Sequence, residues 1–195
     1  MNTKRGYLSK LLRTGNTVLS FKDILLRWGD IGASTARVRI NYYVKHGELH
    51  PLRRGLYAKD KSYDIFELAN KIYTPSYISF ETVLAAEGIV FQKYDSVFVA
   101  SYQTRDIECD GRKYSFKKIK DAVLTNQAGI ENKGSYSIAS KERAFLDTIY
   151  LNKNYHFDSL SPLDRDKVFR ILPVYKNKRM ERTVKQYFDS GERRK

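Results

Sequence analysis

The sequence predicts an α+β protein, with an N-terminal winged helix-turn-helix followed by a mixed α/β C-terminal domain, on three observations. Apolar residues recur at helical spacing in three short segments before residue 47, and a compact strand–turn–strand pattern follows at once. After Gly88 the spacing changes to the alternation of strands, then returns to helices beyond residue 140. Basic residues gather at the two ends, within a chain of 195 residues and net charge +14. Residues 1–62 hold 13 Lys/Arg against 4 Asp/Glu, and residues 176–195 hold 8 against 3. The expected domains are 1–62 and 63–195.

Taking the elements in order, Tyr7, Leu8, Leu11 and Leu12 share one face of a helix over 5–14, with Gly15 as its C-cap. Ser20 caps a second helix that turns Phe21, Ile24, Leu25 and Trp28 inward and ends at Gly29. Ser34 caps a third, which buries Ala36, Ile40, Tyr43 and Val44 and runs to His46, stopped by Gly47. The GDIGA link between the second and third helices is of helix-turn-helix type. GELHPLRRGLYA, residues 47–58, reads as a hairpin turning at Arg53-Arg54-Gly55.

Beyond the linker KDKSYD, a helix covers 64–73, TPS breaks it, and Ser79 or Ser76 starts another that ends at Gly88. YDSVFVASYQ is a strand, and RDIECDGRKYSFKKI is a hairpin about Asp110-Gly111. GSYSIAS is a short strand feeding a helix capped by Ser140. Helices over 162–172 and 176–188, separated by Pro173, follow.

Turned at about 100° per residue, the third helix presents Thr35, Val38, Asn41, Tyr42 and Lys45 opposite its buried face, with Arg37 and Arg39 on the flanks. A helix fits the major groove. There Asn bridges an adenine edge, Arg a guanine edge, and an apolar methyl meets that of thymine. Ser34 and Thr35 stand where a helix N-terminus can hold a phosphate. Arg53 and Arg54, at the hairpin tip, suit a minor groove or the sugar–phosphate backbone. Duplex DNA is therefore the expected partner. Two further basic sets are expected as additional DNA or partner contacts: Arg112, Lys113, Lys117 and Lys118, with Lys120, on the hairpin, where the alternative is a charged strand edge that discourages aggregation, and Lys176, Lys178, Arg179, Arg182 and Lys185 on the last helix.

Enzyme chemistry finds little support. The one cysteine, Cys109, excludes an internal disulfide and a cysteine-based zinc site, and its neighbours Glu108 and Asp110 disfavour a thiolate. His46, His50 and His156 lack partners at metal-ligand spacing, so no metal, cofactor or catalytic residue is expected. The strongest alternative is a metal-dependent nuclease, with Glu131-Asn132-Lys133 as an E-x-K and Asp121 or Asp110 upstream. That stretch, AGIENKG, reads as a solvated loop without the rigid strand a catalytic carboxylate needs. No signal-peptide or membrane-spanning run is present, and a cytoplasmic protein is expected. Without a heptad or long apolar stripe, it should be a monomer or weak dimer in solution.

DIFELANKIYTPSYISFETVLAAEGI at 64–89, with GELHPLRRGLYA before it and YSIASKERAFLDTIYL at 136–151, resembles the AbiEi family. These are antitoxin and transcriptional regulator proteins of type IV toxin–antitoxin systems, which act in abortive infection and phage defence. The matching stretches run from about residue 20 to 151, most of the chain, in the family's order and spacing. The resemblance implies a winged helix joined to an antitoxin domain. It also implies repression of the protein's own operon through inverted repeats, and counteraction of a nucleotidyltransferase-like toxin. An alternative within this class is an antitoxin acting mainly through protein contact with its toxin. Lys141 and Arg143, in SKERAFLD, stand where the family pattern has Pro-Glu-Lys-Ala, a change that keeps the helix.

Overall fold

Short local signals build the first of two compact units, Met1–Ile72, in a computed structural model that describes residues 3–192. Its elements are α1 (Thr3–Leu12), β1 (Val18–Ser20), α2 (Phe21–Trp28), α3 (Ala33–Lys45), β2 (His50–Arg53), β3 (Leu56–Ala58) and α4 (Ile65–Ile72). The three strands form an antiparallel sheet in the order β1-β3-β2. Leu11, Leu19, Ile24, Trp28, Ala36, Ile40, Tyr43 and Leu49 make one apolar core, drawn from α1, β1, α2, α3 and the start of the hairpin. The edge of Trp28 meets Tyr7 and Tyr43, and its indole N–H donates to the Tyr7 carbonyl at 2.9 Å.

Three sequence expectations change here. The helix expected to reach Thr14 ends at Leu12, and Gly15 does not cap it. Instead the Lys59 ammonium donates to the carbonyls of Leu12 and Thr14, and so closes the helix end from β3's far side. Ser34 is not the cap of α3. Gly32 already takes the extended capping conformation and its carbonyl accepts from Ala36 N–H, so Ser34 falls in the first turn. The boundary drawn at 62/63 leaves α4 with the later domain, whereas α4 lies in the first unit. The reason is Glu67, fully buried on α4, whose carboxylate accepts from Asn16 Nδ2 (2.8 Å), Thr17 N–H (2.7 Å) and the Thr17 hydroxyl (2.7 Å).

The second unit, Tyr73–Lys195, contains β4 (Ser76–Ile78), α5 (Glu81–Ala86), β5 (Ser96–Ser101), β6 (Arg105–Cys109), β7 (Arg112–Lys118), α6 (Asp121–Leu124), β8 (Ile130–Asn132), β9 (Ser137–Ala139), α7 (Lys141–Leu151), α8 (Arg165–Ile171), a 3₁₀ turn (Leu172–Tyr175) and α9 (Lys178–Glu192). Its mixed six-stranded sheet has the order β6-β7-β5-β4-β9-β8, with β5–β7 and β4–β9 parallel and the other neighbours antiparallel. Asp110 and Gly111 turn β6 into β7 with φ of 51° and 71°. The left-handed pair that a two-residue hairpin favours is thus supplied where the sequence signalled it.

The centre of this unit is an ion pair one helical turn long on α7. Arg143 and Asp147 are both fully buried, and Arg143 Nε donates to Asp147 at 3.2 Å. The other four guanidinium donors go to Asn126 O, Ala128 O, Val123 O and the Tyr77 hydroxyl. Asp147 accepts further from Tyr77, Ser79 and Tyr175 at 2.6–3.0 Å. Burial raises the Asp147 carboxyl above an ordinary aspartate, while Arg143 and the three hydroxyls pull it back. Gly129, with φ of 72°, lets the chain close over this centre; a Cβ there would lie 2.9 Å from Arg143 Cβ and 2.8 Å from Ile171 Cδ1.

The network also explains departures from the expected elements. Ser79 gives its hydroxyl to Asp147 rather than capping a helix, and α5 starts only after Phe80, at φ of 54°. TPS does not simply break the chain, since Ser76–Ile78 is β4, which sets Tyr77 against Arg143. Pro173 does lie between α8 and α9, but in the first turn of a 3₁₀ segment that continues α8 and brings Tyr175 to Asp147. A further turn at Lys176, φ 46°, precedes α9.

Replacing Arg143 by Met should destabilise this unit by about 3–5 kcal/mol, because a buried carboxylate loses its partner. Arg143→Lys should recover only part of that, since an ammonium has three donors for five acceptors. Urea unfolding followed by far-UV circular dichroism measures both, and Arg143→Met combined with Asp147→Leu should lose less than Arg143→Met alone.

Candidate nucleic-acid interface

α3 buries Ala36, Ile40 and Tyr43 and turns Ser34, Thr35, Arg37, Val38, Asn41, Tyr42 and Lys45 outward, all exposed. Arg39 is half-buried on one flank. This division follows directly from the 3.6-residue period, because the buried positions recur every three or four residues. The two arginines are not free-standing. The Arg37 guanidinium lies over the Phe21 ring at 4.8 Å, and that of Arg39 over the Tyr7 ring at 4.1 Å. Tyr7 in turn donates to Asp30 at 2.7 Å and holds that carboxyl below its ordinary value. Tyr42 stacks on His46, with ring centroids 4.0 Å apart, and His46 Nδ1 meets the Tyr42 carbonyl at 2.8 Å.

Arg53 and Arg54 are both exposed on the β2–β3 hairpin, Arg53 as the last residue of β2 and Arg54 in the turn. The register of β2 on β3 shifts between Pro51 and Arg53, just before the turn. Gly55, beside them, accepts from Phe21 N–H through its carbonyl at 2.8 Å. Phe21 therefore touches both the hairpin tip and, through its ring, Arg37 of α3. The sequence pattern shows Phe21 only as an inward residue of α2 and gives no sign of this bridging place.

α2 is itself fixed by a capping box. Ser20 N–H donates to Asp23 (2.9 Å), Asp23 N–H donates to the Ser20 hydroxyl (3.1 Å), and Lys71 of α4 donates to the same carboxylate at 2.7 Å. Burial would raise the Asp23 carboxyl, but Lys71 and Ser20 outweigh it and hold it below its ordinary value.

The other basic residues do not form one surface. Arg112, Lys113, Lys117 and Lys118 lie on β7, an interior strand between β6 and β5, so the alternative of a charged sheet edge does not apply to them. Strand alternation divides them: Lys113 and Lys117 face one side, Arg112 and Lys118 the other. Lys117 is occupied by Glu81 at 3.5 Å and lies over the Phe80 and Phe98 rings. Lys113 stands opposite Glu108 in a shallow groove of about 400 Å³ that also carries Asp106. Lys120 is exposed just before α6.

On α9, Lys178, Arg182 and Lys185 are exposed on the face opposite buried Met180 and Val184, whereas Lys176 lies in the preceding turn. Arg179 turns back to the Tyr150 carbonyl at 3.3 Å. Asn177 caps this helix, its side chain accepting from Arg179 and Met180 N–H.

Glu131 lies on β8, a short edge strand, and not in the loop expected there. Antiparallel pairing with Ser137–Ala139 makes it one, and Glu131 binds Lys133 at 2.7 Å. Among the described residues no three His, Cys, Asp or Glu gather where a metal ion could be held, and no helix is long and apolar enough to cross a membrane.

Against solved structures, the chain is similar to the Rv2827c protein from Mycobacterium tuberculosis, with a TM-score of 0.56 and 13% identity over 97% of this chain and 77% of that one. At that identity the likeness shows the fold alone. No protein-family model and no curated protein sequence matches the chain.

Because the Asp23 carboxyl is held down in the folded state, its contribution to stability is complete above the ordinary aspartate range and fades as pH falls through its lowered value. Asp23→Asn should flatten that acid loss, and Ser20→Ala should cost about 1 kcal/mol at neutral pH. Trp28, the sole tryptophan and a buried one, reports both by fluorescence during denaturant unfolding at several pH values.

Proposed function

We propose that the protein is a sequence-specific DNA-binding antitoxin that represses its own toxin–antitoxin operon. The first unit acts as a winged helix-turn-helix: α2 and α3 form the helix-turn-helix, α3 enters the major groove, and the β2–β3 hairpin is the wing. The observation that carries this reading is the exposed face of α3, joined through Phe21 to a hairpin tip bearing Arg53 and Arg54. The sheet order β1-β3-β2 supports it, since it leaves β2 and its turn at the sheet edge where a wing must project. So does the charge of residues 1–62, which exceeds what solubility needs.

On this reading two copies pair on inverted repeats of the operon promoter and are monomers or weak dimers in solution. The second unit counteracts a nucleotidyltransferase-like toxin, in the cytoplasm, without a cofactor or an enzymatic activity of its own. The fully satisfied Arg143–Asp147 centre supports a binding rather than a catalytic role for SKERAFLD, because no donor on that guanidinium is left for a substrate. The exposed Lys178–Arg182–Lys185 ridge on α9 is the surface of this unit best suited to an acidic partner.

An electrophoretic shift with the upstream promoter against random duplex tests the reading; equal binding to both would overturn sequence-specific repression. Binding should weaken by about 0.9 log units per phosphate contact for each log unit of salt. Arg53→Ala with Arg54→Ala should lower affinity and flatten that slope, and an unchanged slope would remove the wing from the backbone contact. Co-expression with the neighbouring gene's product, scored by growth, tests the antitoxin half.

A further inference from the structure

α3 carries two kinds of residue suited to base reading, and its packing separates them. Arginine is the commonest reader of guanine, through a bidentate contact to O6 and N7. Yet Arg37 and Arg39 each project about 100° away from Val38 and are laid against rings, Arg37 over Phe21 at 4.8 Å and Arg39 over Tyr7 at 4.1 Å. Arg39 is only half-exposed, and its Nη1 is buried. Reaching a base would mean leaving those rings.

Val38 lies in the opposite situation. It is 71% exposed, at the midpoint of the solvent face, opposite the centre of the face formed by Ala36, Ile40 and Tyr43. Thr35, Asn41, Tyr42 and Lys45 surround it, all exposed. Among the described residues, this branched apolar side chain at the crest of a polar, basic helix is left mostly uncovered. The major groove offers one apolar feature, the C5-methyl group of thymine.

The geometry points to Val38 as the specificity-determining residue of α3, reading a thymine methyl in each half-site, while Arg37 and Arg39 serve the flanking phosphates. The ligand is thus duplex DNA whose half-site has a T·A pair under the middle of α3, with Thr35 and Asn41 facing the adjoining pairs. The basic first unit meets the charge requirement for that occupant. This inference rests on the DNA-binding reading above.

The test uses the full chain. Selection from a random duplex library yields the preferred half-site, and each thymine in it is then replaced singly by deoxyuridine, which removes the methyl and leaves the base pair intact. One thymine per half-site should be sensitive, with affinity falling about three- to four-fold for the lost methyl contact. Val38→Ala, a change at an exposed position that leaves the fold intact, should bind more weakly and show a smaller deoxyuridine effect at that thymine. Arg37→Ala should lower affinity for every duplex while selecting the same sequence. A selected site with no deoxyuridine-sensitive thymine, or one to which Val38→Ala remains as sensitive as the parent, overturns the inference and leaves the DNA-binding reading standing. Failure to enrich any sequence overturns the sequence-specific reading itself, and this inference with it.

Discussion

A guanidinium and a carboxylate taken wholly out of water are tolerable only when their hydrogen-bonding groups find partners, and that condition organises the larger unit. The five N–H groups of Arg143 and the lone pairs of Asp147 draw β4, α6, the 126–128 loop and the 3₁₀ turn onto one turn of α7. The consequences are local and specific. Ser79 is taken from the helix start it would otherwise cap, Tyr175 is brought in by a turn that accommodates Pro173, and Gly129 must lack a side chain for the loop to close. Three backbone carbonyls, those of Val123, Asn126 and Ala128, accept from Arg143. Loss of the guanidinium would take that donor from them and leave the Asp147 carboxylate with its hydroxyl donors and no counter-charge.

The first unit uses the same principle with weaker parts. Glu67 gathers the backbone and side chains before β1, Lys59 closes the end of α1, and Lys71 reinforces the capping box of α2. Each polar link joins the helical part of the unit to its strands or to α4, and each lies away from the solvent face of α3. The face that would meet a partner can therefore vary without disturbing the core. On that face aromatic rings decide which cations extend freely: Phe21 and Tyr7 hold Arg37 and Arg39 to the flanks, and Val38 is left at the crest.

Features whose cause lies within a few residues were legible in the sequence. The Ser20 cap, the Ser140 cap, the Asp110-Gly111 turn and the 3.6-residue burial of α3 each depend on neighbours in the chain, and each occurs as the pattern indicates. The three-residue strands β1, β4 and β8 are too short to show alternation of their own, whereas β3 and β9, equally short, were marked by the hairpin turn and the helix cap beside them. The exposed residues of α3 and the two hairpin arginines were identifiable by period and turn chemistry. The division of the β7 lysines between two faces, and the place of Phe21 between hairpin and α3, were not.

By itself the sequence determined the order and type of most elements, the inward face of each amphipathic helix and the concentration of positive charge in the first unit, because propensity, period and composition are properties of short windows. Tertiary structure alone decided that α4 closes the first unit, that Lys59 rather than a glycine ends α1, and that Arg143 is a buried structural centre rather than a surface cation. Each of those outcomes depends on a polar group finding its partner across a long stretch of chain, 51 residues for Glu67 and Asn16 and 66 for Arg143 and Tyr77. Residue type says that a buried charge must be paired. Only the folded chain says with what.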